Sequence, residues 1–315
     1  MIKLERFEGN PIVKPNDQNL WETKATFNPG AVYEDGKVYI IYRAMNNEDT
    51  SVLGCAISKD GLHIDERLPE PIYAPREDFE KKANPGNSGC EDPRLTKIGD
   101  KFYMCYTAYD ARNPTRVALT SIKVEDFLQK KWNWNKPILI SPPGIDDKNA
   151  CILSEQIEGK YAILHRIHPC IWIDFVDNLD FSGNRWIKGS TWFKIRSDKW
   201  DSRKIGIGAP PIKTEDGWLL IYHGLSEQDL KYRLGAMLLE LKNPTKAISR
   251  LDYAILEPEE WYENEGLRHG TVFACGAVVI KDRLFVYYGG ADKYVCVATT
   301  DLNGLLEELK RNASS

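Results

Sequence analysis

At 315 residues the chain can bury a sizeable core as one all-β domain or as two smaller ones, so domain number has to come from internal organisation. Its 42 basic and 46 acidic residues give a net charge of −4 without a long run of either sign, which excludes the electrostatic footprint of a nucleic-acid or anionic-membrane binder. Any anion the protein uses has to be held locally.

In chain order, the opening Met-Ile-Lys-Leu-Glu-Arg-Phe-Glu has no apolar signal-type run, and no later stretch reaches bilayer-spanning length, so a soluble, cytoplasmic protein is expected. The seven cysteines, at 55, 90, 105, 151, 170, 275 and 296, show no CxxC pair and no zinc-ligand spacing; reduced thiols, mostly in the core, are expected. Asn312-Ala-Ser matches the glycosylation pattern, but in a polar tail without an export signal it carries no weight.

Five segments share one design: FNPGAVYEDGKVYIIYRA from Phe27, EDPRLTKIGDKFYMCYTA from Glu91, CILSEQIEGKYAILHRI from Cys151, GAPPIKTEDGWLLIYHG from Gly208 and ACGAVVIKDRLFVYYGG from Ala274. In each, two apolar strands flank a polar or glycine turn (Asp35-Gly36, Gly99-Asp100, Glu158-Gly159, Asp216-Gly217, Lys281-Asp282), the pattern of a β-hairpin. The second strand carries an anchor ring at Tyr42, Tyr106, His165, Tyr222 or Tyr288, at intervals of 64, 59, 57 and 66 residues, and a further apolar strand follows. Four strands per unit and five units predict one domain over residues 1–315: a five-bladed β-propeller with four-stranded antiparallel blades. The one convincing helical pattern is the terminal segment 302–310.

Alignment on the turns places Asn28 and Asp92 in the same slot, at the start of the innermost strand and facing the channel mouth. The residues after the anchor rings include Arg43, Arg166 and His223, and with Lys204 they make a cationic set suited to phosphate or a similar anion. Each has a plainer reading as well. Asp92-Pro93 is a common turn start, Arg43 and Arg166 can pair with Asp110 and Asp292, and a lone His223 is more often a core imidazole. The many Trp and Tyr residues are mostly core, with Tyr109, Trp261 and Tyr262 as loop candidates for sugar contact. The polar stretch 71–89 reads as a long loop before Asp92, either covering the site or disordered.

As an ordered set, FNPG at 27–30, YRA at 42–44, GCEDPR at 89–94, KIG at 204–206, YHG at 222–224 and YGGAD at 288–292 resemble glycoside hydrolase family 130, the β-mannoside phosphorylases and related β-mannosidases, over about residues 10–300. The resemblance implies a five-bladed propeller with Asp92 as catalytic acid inside its Glu-Asp-Pro-Arg motif. It places Asn28, Arg43 and Asp292 around the −1 mannosyl unit, with Glu91 among the substrate-binding residues. Lys204, His223, Arg116 and Arg166 are implied as phosphate ligands, with proton transfer relayed through a mannose hydroxyl.

Hydrolysis normally needs two carboxylates across the bond, whereas a phosphorylase needs one acid and a bay of cations that aims the anionic nucleophile. The inventory here is the second: phosphate attacks the anomeric carbon, Asp92 protonates the leaving group, and inversion gives α-mannose 1-phosphate, with inorganic phosphate as co-substrate and no cofactor or metal. Asp92 has to hold a proton, so Arg94 is expected to point away, into a structural ion pair. The competing readings are a β-mannoside hydrolase using Glu263 or Glu265 of the WYENEG loop and a non-catalytic, lectin-like propeller. β-1,2-mannobiose or its oligomers is favoured over β-1,4-linked mannosides, and exposed blade edges suit a monomer or a homo-oligomer equally.

Overall fold

The computed structural model describes residues 1–313 except 184, with 190–192 described by backbone alone. The described chain is all-β apart from short helical turns and one terminal helix, Leu302–Ala313, three residues longer than the predicted segment. This helix buries Leu305, Leu306 and Leu309 in an apolar cluster with Leu238, Val272 and Val286. No helix among the described residues is long and apolar enough to cross a membrane.

The hairpins form at the expected turns because the turn residues accept positive φ. Ala25–Glu34 and Lys37–Met45 join through Asp35-Gly36 at φ 49° and 71°, and Asp147–Ile152 and Tyr161–Ile167 through a loop closing on Glu158-Gly159 at 50° and 79°. Two adjacent left-handed residues match the right-handed twist of the strands they connect. Ser88–Ile98 pairs Lys101–Tyr109, Ile212–Lys213 pairs Trp218–Leu225, and Val272–Ile280 pairs Arg283–Gly290 in the same antiparallel manner.

A third antiparallel strand follows each hairpin: Thr50–Ser58, Arg116–Lys123, Cys170–Val176, Tyr232–Leu239 and Tyr294–Asp301. The fourth strands are short, and in the last unit the fourth is the N-terminal Glu5–Arg6, so the two chain ends share one sheet. One departure from separate blades is visible. Thr50 and Ser51 bridge Ser88 and Gly89 in parallel, merging the first two units into an eight-stranded sheet, so the described strands form four hydrogen-bonded sheets. Gly89 makes this approach feasible: its φ is 105°, and a Cβ there would collide with the Ser51 backbone.

First strands touch in sequence, Ala25–Glu34 against Ser88–Ile98, that against Asp147–Ile152, and that against Lys204–Ile207, while Val272–Ile280 returns to Ala25–Glu34. The apolar side chains fill the spaces between neighbouring units, as with Ile41 and Leu53 of the first against Leu95 and Met104 of the second, each contributing roughly 1.5–3 kcal/mol on burial. All seven cysteines are free and buried.

Candidate active site

Three residues near the start of the first strands share an unusual backbone. Asn28, Asp92 and Asn149 have φ of 47°, 54° and 54°, and each lies where the antiparallel register breaks: Phe27/Gly30, Glu91/Arg94 and Lys148/Cys151. These are β-bulges, and Asn and Asp are the side-chain-bearing types that best tolerate the left-handed region. Pro29 and Pro93 follow the first two, at positions where the ladder needs no N–H. The bulges bring the three side chains to one cavity of about 170 Å³, which Arg43, Glu91, Lys148, Arg166, Lys204, Tyr232, Arg268, Phe273 and Asp292 complete.

Two electrostatic neighbourhoods share this cavity. In the acidic one, Asn28 Nδ2 donates to Asp92 Oδ1 at 2.9 Å and Arg43 Nη1 reaches the same oxygen at 3.4 Å, so Oδ2 is the oxygen without a partner among the described residues. Arg43 Nη2 also pairs with Glu91 at 2.9 Å, its Nε donates to Ser51, and its guanidinium lies 4.6 Å from the Phe27 ring centre. Although burial opposes its charge, Glu91, Asp92 and Asp292 hold the Arg43 proton more firmly than usual. Burial and the neighbouring Asp92 carboxylate push Asp292 up to about 6, against the pull of Arg43 and Arg268.

The basic neighbourhood gathers Lys148, Arg166 and Lys204. Arg166 sits directly across the ladder from Lys148, an arrangement of like charges that costs stability unless an anion is shared. Burial first, then Arg166, Arg268, Lys148 and Arg203, bring the Lys204 ammonium down to about 7. None of Lys148, Arg166, Lys204 and Arg268 is ion-paired to a carboxylate among the described residues. Tyr232 borders both neighbourhoods, its ring 5.1 Å from Lys204 Nζ and 4.7 Å from the Arg268 guanidinium.

Beneath this bay, His223 is fully buried opposite Gly206 and packs on Phe273 at 4.1 Å. Burial and the charges of Arg166, Arg94 and Lys204 push its pKa far down, so the imidazole is neutral. A Cβ at residue 206 would strike the ring, which is why glycine stands there. His223 Nδ1 and Nε2, Asn149 Oδ1 and Arg166 Nε are all buried without a hydrogen-bond partner among the described residues. Orphaned polar atoms at this density are costly unless a ligand satisfies them.

Most of the residues singled out in the sequence therefore converge: Asn28, Arg43, Glu91, Asp92, Arg166, Lys204 and Asp292 line the cavity and His223 underlies it. Tyr109 lies in an adjoining cavity with Arg43 and Glu91. Arg116 does not join the phosphate bay. It starts a third strand rather than a first or second, donates to the Ser141 carbonyl, stacks on Trp186 at 4.8 Å, and lines a separate cavity. With strands spaced about 4.8 Å apart, a third-strand residue stands roughly 10 Å out from the first strand.

Other expectations are corrected too. Arg94 makes no ion pair among the described residues; it donates to the carbonyls of Asp92, Ile207 and Gly208 at 3.0, 2.8 and 2.7 Å, fastening the Asp92 bulge to the neighbouring unit. Asp110 does not pair with Arg43 or Arg166 but accepts the N–H groups of Arg112 and Asn113. Tyr262 is buried in the core, and Trp261 packs against Tyr294 away from the cavity. The 71–89 loop is ordered, fixed by bonds such as Ala83 N to Asp110 O at 2.8 Å and Ser88 N to Asp49 O at 3.0 Å.

Every anchor ring meets a fully buried carboxylate: Tyr42 with Glu22, Tyr106 with Glu80, His165 with Asp147, Tyr222 with Asp201 and Tyr288 with Glu263. Arg67 completes the first clasp, Arg196 and Arg250 the fourth, and Arg6 the fifth, at 2.8 Å from Glu263 Oε1. Glu263 is therefore a structural member of this set, and Glu265 is exposed and outside the cavity.

Lys148, Asn149, Tyr232, Arg268 and Phe273 escaped the sequence reading. Lys148-Asn149 occupies the slot of Glu91-Asp92, but alignment on the turns put Cys151 there instead. Counting back from the rings at 106 and 165 also lands on Cys151; the slot emerges from the ladder pairing, Lys148 opposite Arg166 as Glu91 is opposite Thr107.

The family model described as beta-1,4-mannooligosaccharide phosphorylase, glycoside hydrolase family 130, matches residues 3–311. The chain belongs to glycoside hydrolase family 130. Among family relatives, a 1,2-beta-oligomannan phosphorylase of Thermoanaerobacter sp. strain X514 is 38% identical, covering 97% of this chain and 99% of its own. A beta-1,2-mannobiose phosphorylase of the same strain is 39% identical, covering 96% and 98%. The solved structure of beta-1,2-mannobiose phosphorylase from Listeria innocua in complex with beta-1,2-mannobiose superposes with a TM-score of 0.80 at 26% identity, over 98% of this chain and 99% of that one.

Proposed function

We propose that this chain is an inverting β-mannoside phosphorylase, transferring the non-reducing mannosyl unit of a β-1,2-linked mannoside to inorganic phosphate and releasing α-D-mannose 1-phosphate. The observation that carries the reading is the division of one cavity into a carboxylate group around Asp92 and a bay of cations without carboxylate partners among the described residues. A hydrolase would need a further carboxylate placed to activate water. Glu263 is locked in its clasp, Glu91 is held by Arg43, and Asp292 belongs with Asp92 in the acidic neighbourhood.

Phosphate bound by Lys148, Arg166 and Lys204, with an N–H from neutral His223, attacks the anomeric carbon. The bond from that carbon to the bridging oxygen breaks as Asp92 gives its proton to the departing oxygen, leaving Asp92 ionised. A single displacement inverts the configuration. Arg43 and Asn28 orient Asp92, and Arg94 holds the bulge that presents it. The β-1,2 preference is supported by two relatives named for that linkage at 38% and 39% identity. The contacts of each first strand with the next from Ala25–Glu34 to Lys204–Ile207, those of Val272–Ile280 with Ala25–Glu34 and with Trp218–Leu225 and Tyr232–Leu239, and an N-terminal strand completing the last unit support a single five-bladed propeller.

The test is formation of α-mannose 1-phosphate from β-1,2- and β-1,4-mannobiose, with and without phosphate, by wild type and Asp92→Asn. Product should require phosphate, favour the β-1,2 substrate, and fall by about 10²–10⁴-fold in the variant. Mannose released without phosphate would overturn the assignment.

A further inference from the structure

Three cavities lie in succession from the Asp92 bulge outward. The first, of about 170 Å³, holds Asp92 and the cations; the second, about 390 Å³, shares Arg43, Glu91 and Lys148 with it. The third, about 290 Å³, shares Asn113 and Pro114 with the second and ends on Phe79, Leu139 and Pro143. We infer that the third cavity is an acceptor-side subsite for a third sugar, which makes the enzyme selective for oligomannosides over the disaccharide. This rests on the phosphorylase reading above.

The wall chemistry changes along the series as a sugar chain requires. Beyond Arg43 and Glu91, the second cavity presents Asn87, Tyr109, Thr115 and Asp146, amide, hydroxyl and carboxylate groups that recognise sugar hydroxyls. The third offers the Phe79 ring and the apolar faces of Leu139 and Pro143, against which the C–H face of a pyranose packs, with Arg116 at its edge. Arg116 Nε is buried without a partner among the described residues while its guanidinium is held by Trp186 and the Ser141 carbonyl, so a donor stands oriented and unused.

The subsite is also preformed. Phe79 precedes Glu80, whose carboxylate accepts from Tyr73 and Tyr106 and from the N–H groups of Arg76 and Glu77 at 2.8 Å each. The partition between the second and third cavities is fixed by Asp110, which accepts from Asn113 N and Nδ2. A rigid subsite contributes affinity without an ordering cost. Relatives named for oligomannan and for mannobiose are 38% and 39% identical, so overall similarity does not decide chain length, whereas a third cavity does.

The test compares kcat/KM for phosphorolysis of β-1,2-mannobiose and β-1,2-mannotriose in wild type, Phe79→Ala and Pro143→Trp, the first removing the platform and the second filling the cavity from an exposed position. Wild type should favour the trisaccharide at least fivefold. Both variants should bring that ratio towards one, with the mannobiose value and the KM for phosphate within twofold of wild type. A wild-type ratio of one, or a Pro143→Trp protein that loses both substrates equally, overturns the inference. Absence of phosphorolysis with either chain length refutes the phosphorylase reading and this inference with it.

Discussion

Lys204 offers the sharpest test of the cationic bay. Its ammonium is brought down to about 7 by burial and by Arg166, Arg268, Lys148 and Arg203, so in the empty enzyme it is about half neutral at pH 7. A phosphate dianion reverses the balance of charge, and its arrival restores the proton. Binding above pH 7 therefore takes up a proton, and affinity falls as pH rises. If only the charged form binds, the apparent affinity drops by about 50-fold between pH 7 and pH 9, the neutral-to-charged ratio rising tenfold per unit. The assay is the KM for phosphate at saturating mannoside across that range, for wild type and Lys204→Arg. Arginine stays charged throughout, so the variant reports the titration of phosphate and every other group, and its profile should be flat by comparison. Parallel profiles for the two proteins would refute the argument, showing that Lys204 is charged throughout or does not touch phosphate.

Glu263→Gln should cost about 3 kcal/mol by denaturant unfolding, because it leaves Arg6 without its buried countercharge, while the folded variant keeps its kcat. Lost turnover at unchanged stability would restore Glu263 as a catalytic base. Arg166→Ala should raise the KM for phosphate at least tenfold, whereas Arg116→Ala should leave it within about twofold, the loss of a charge-assisted bond being worth roughly 1.5–3 kcal/mol where one is made. Equal effects would return Arg116 to the phosphate site.

Much was legible in the sequence because its causes are local. A turn needs residues that accept positive φ, and Asp35-Gly36 and Glu158-Gly159 supply them; a strand buried between sheets needs an apolar run, and the runs recur with their anchor rings. Since the repeat fixes register, it places Asn28 and Asp92 in one slot, and the residues after the rings give Arg43, Arg166 and His223.

Only the tertiary structure decided what depends on distance in the chain. The third hairpin has a connection spanning residues 153–160, where the first has residues 35–36, so counting from the turn hid Asn149 while pairing across the ladder revealed it. Arg268 comes from a loop outside the repeat and meets Lys204 and Tyr232 only through folding. Glu263 and Asp92 are both acids beside structural motifs; what separates them is that Arg6 and Tyr288, remote in sequence from one another, close on Glu263, whereas Asp92 keeps one oxygen without a partner among the described residues, at a cavity lined with charge. Sequence specifies which chemistry is present, because residue identity and local backbone preference are written in it. Which of those groups meet a substrate is set by long-range packing, because burial and opposing charge are properties of neighbours that the chain brings together only when it folds.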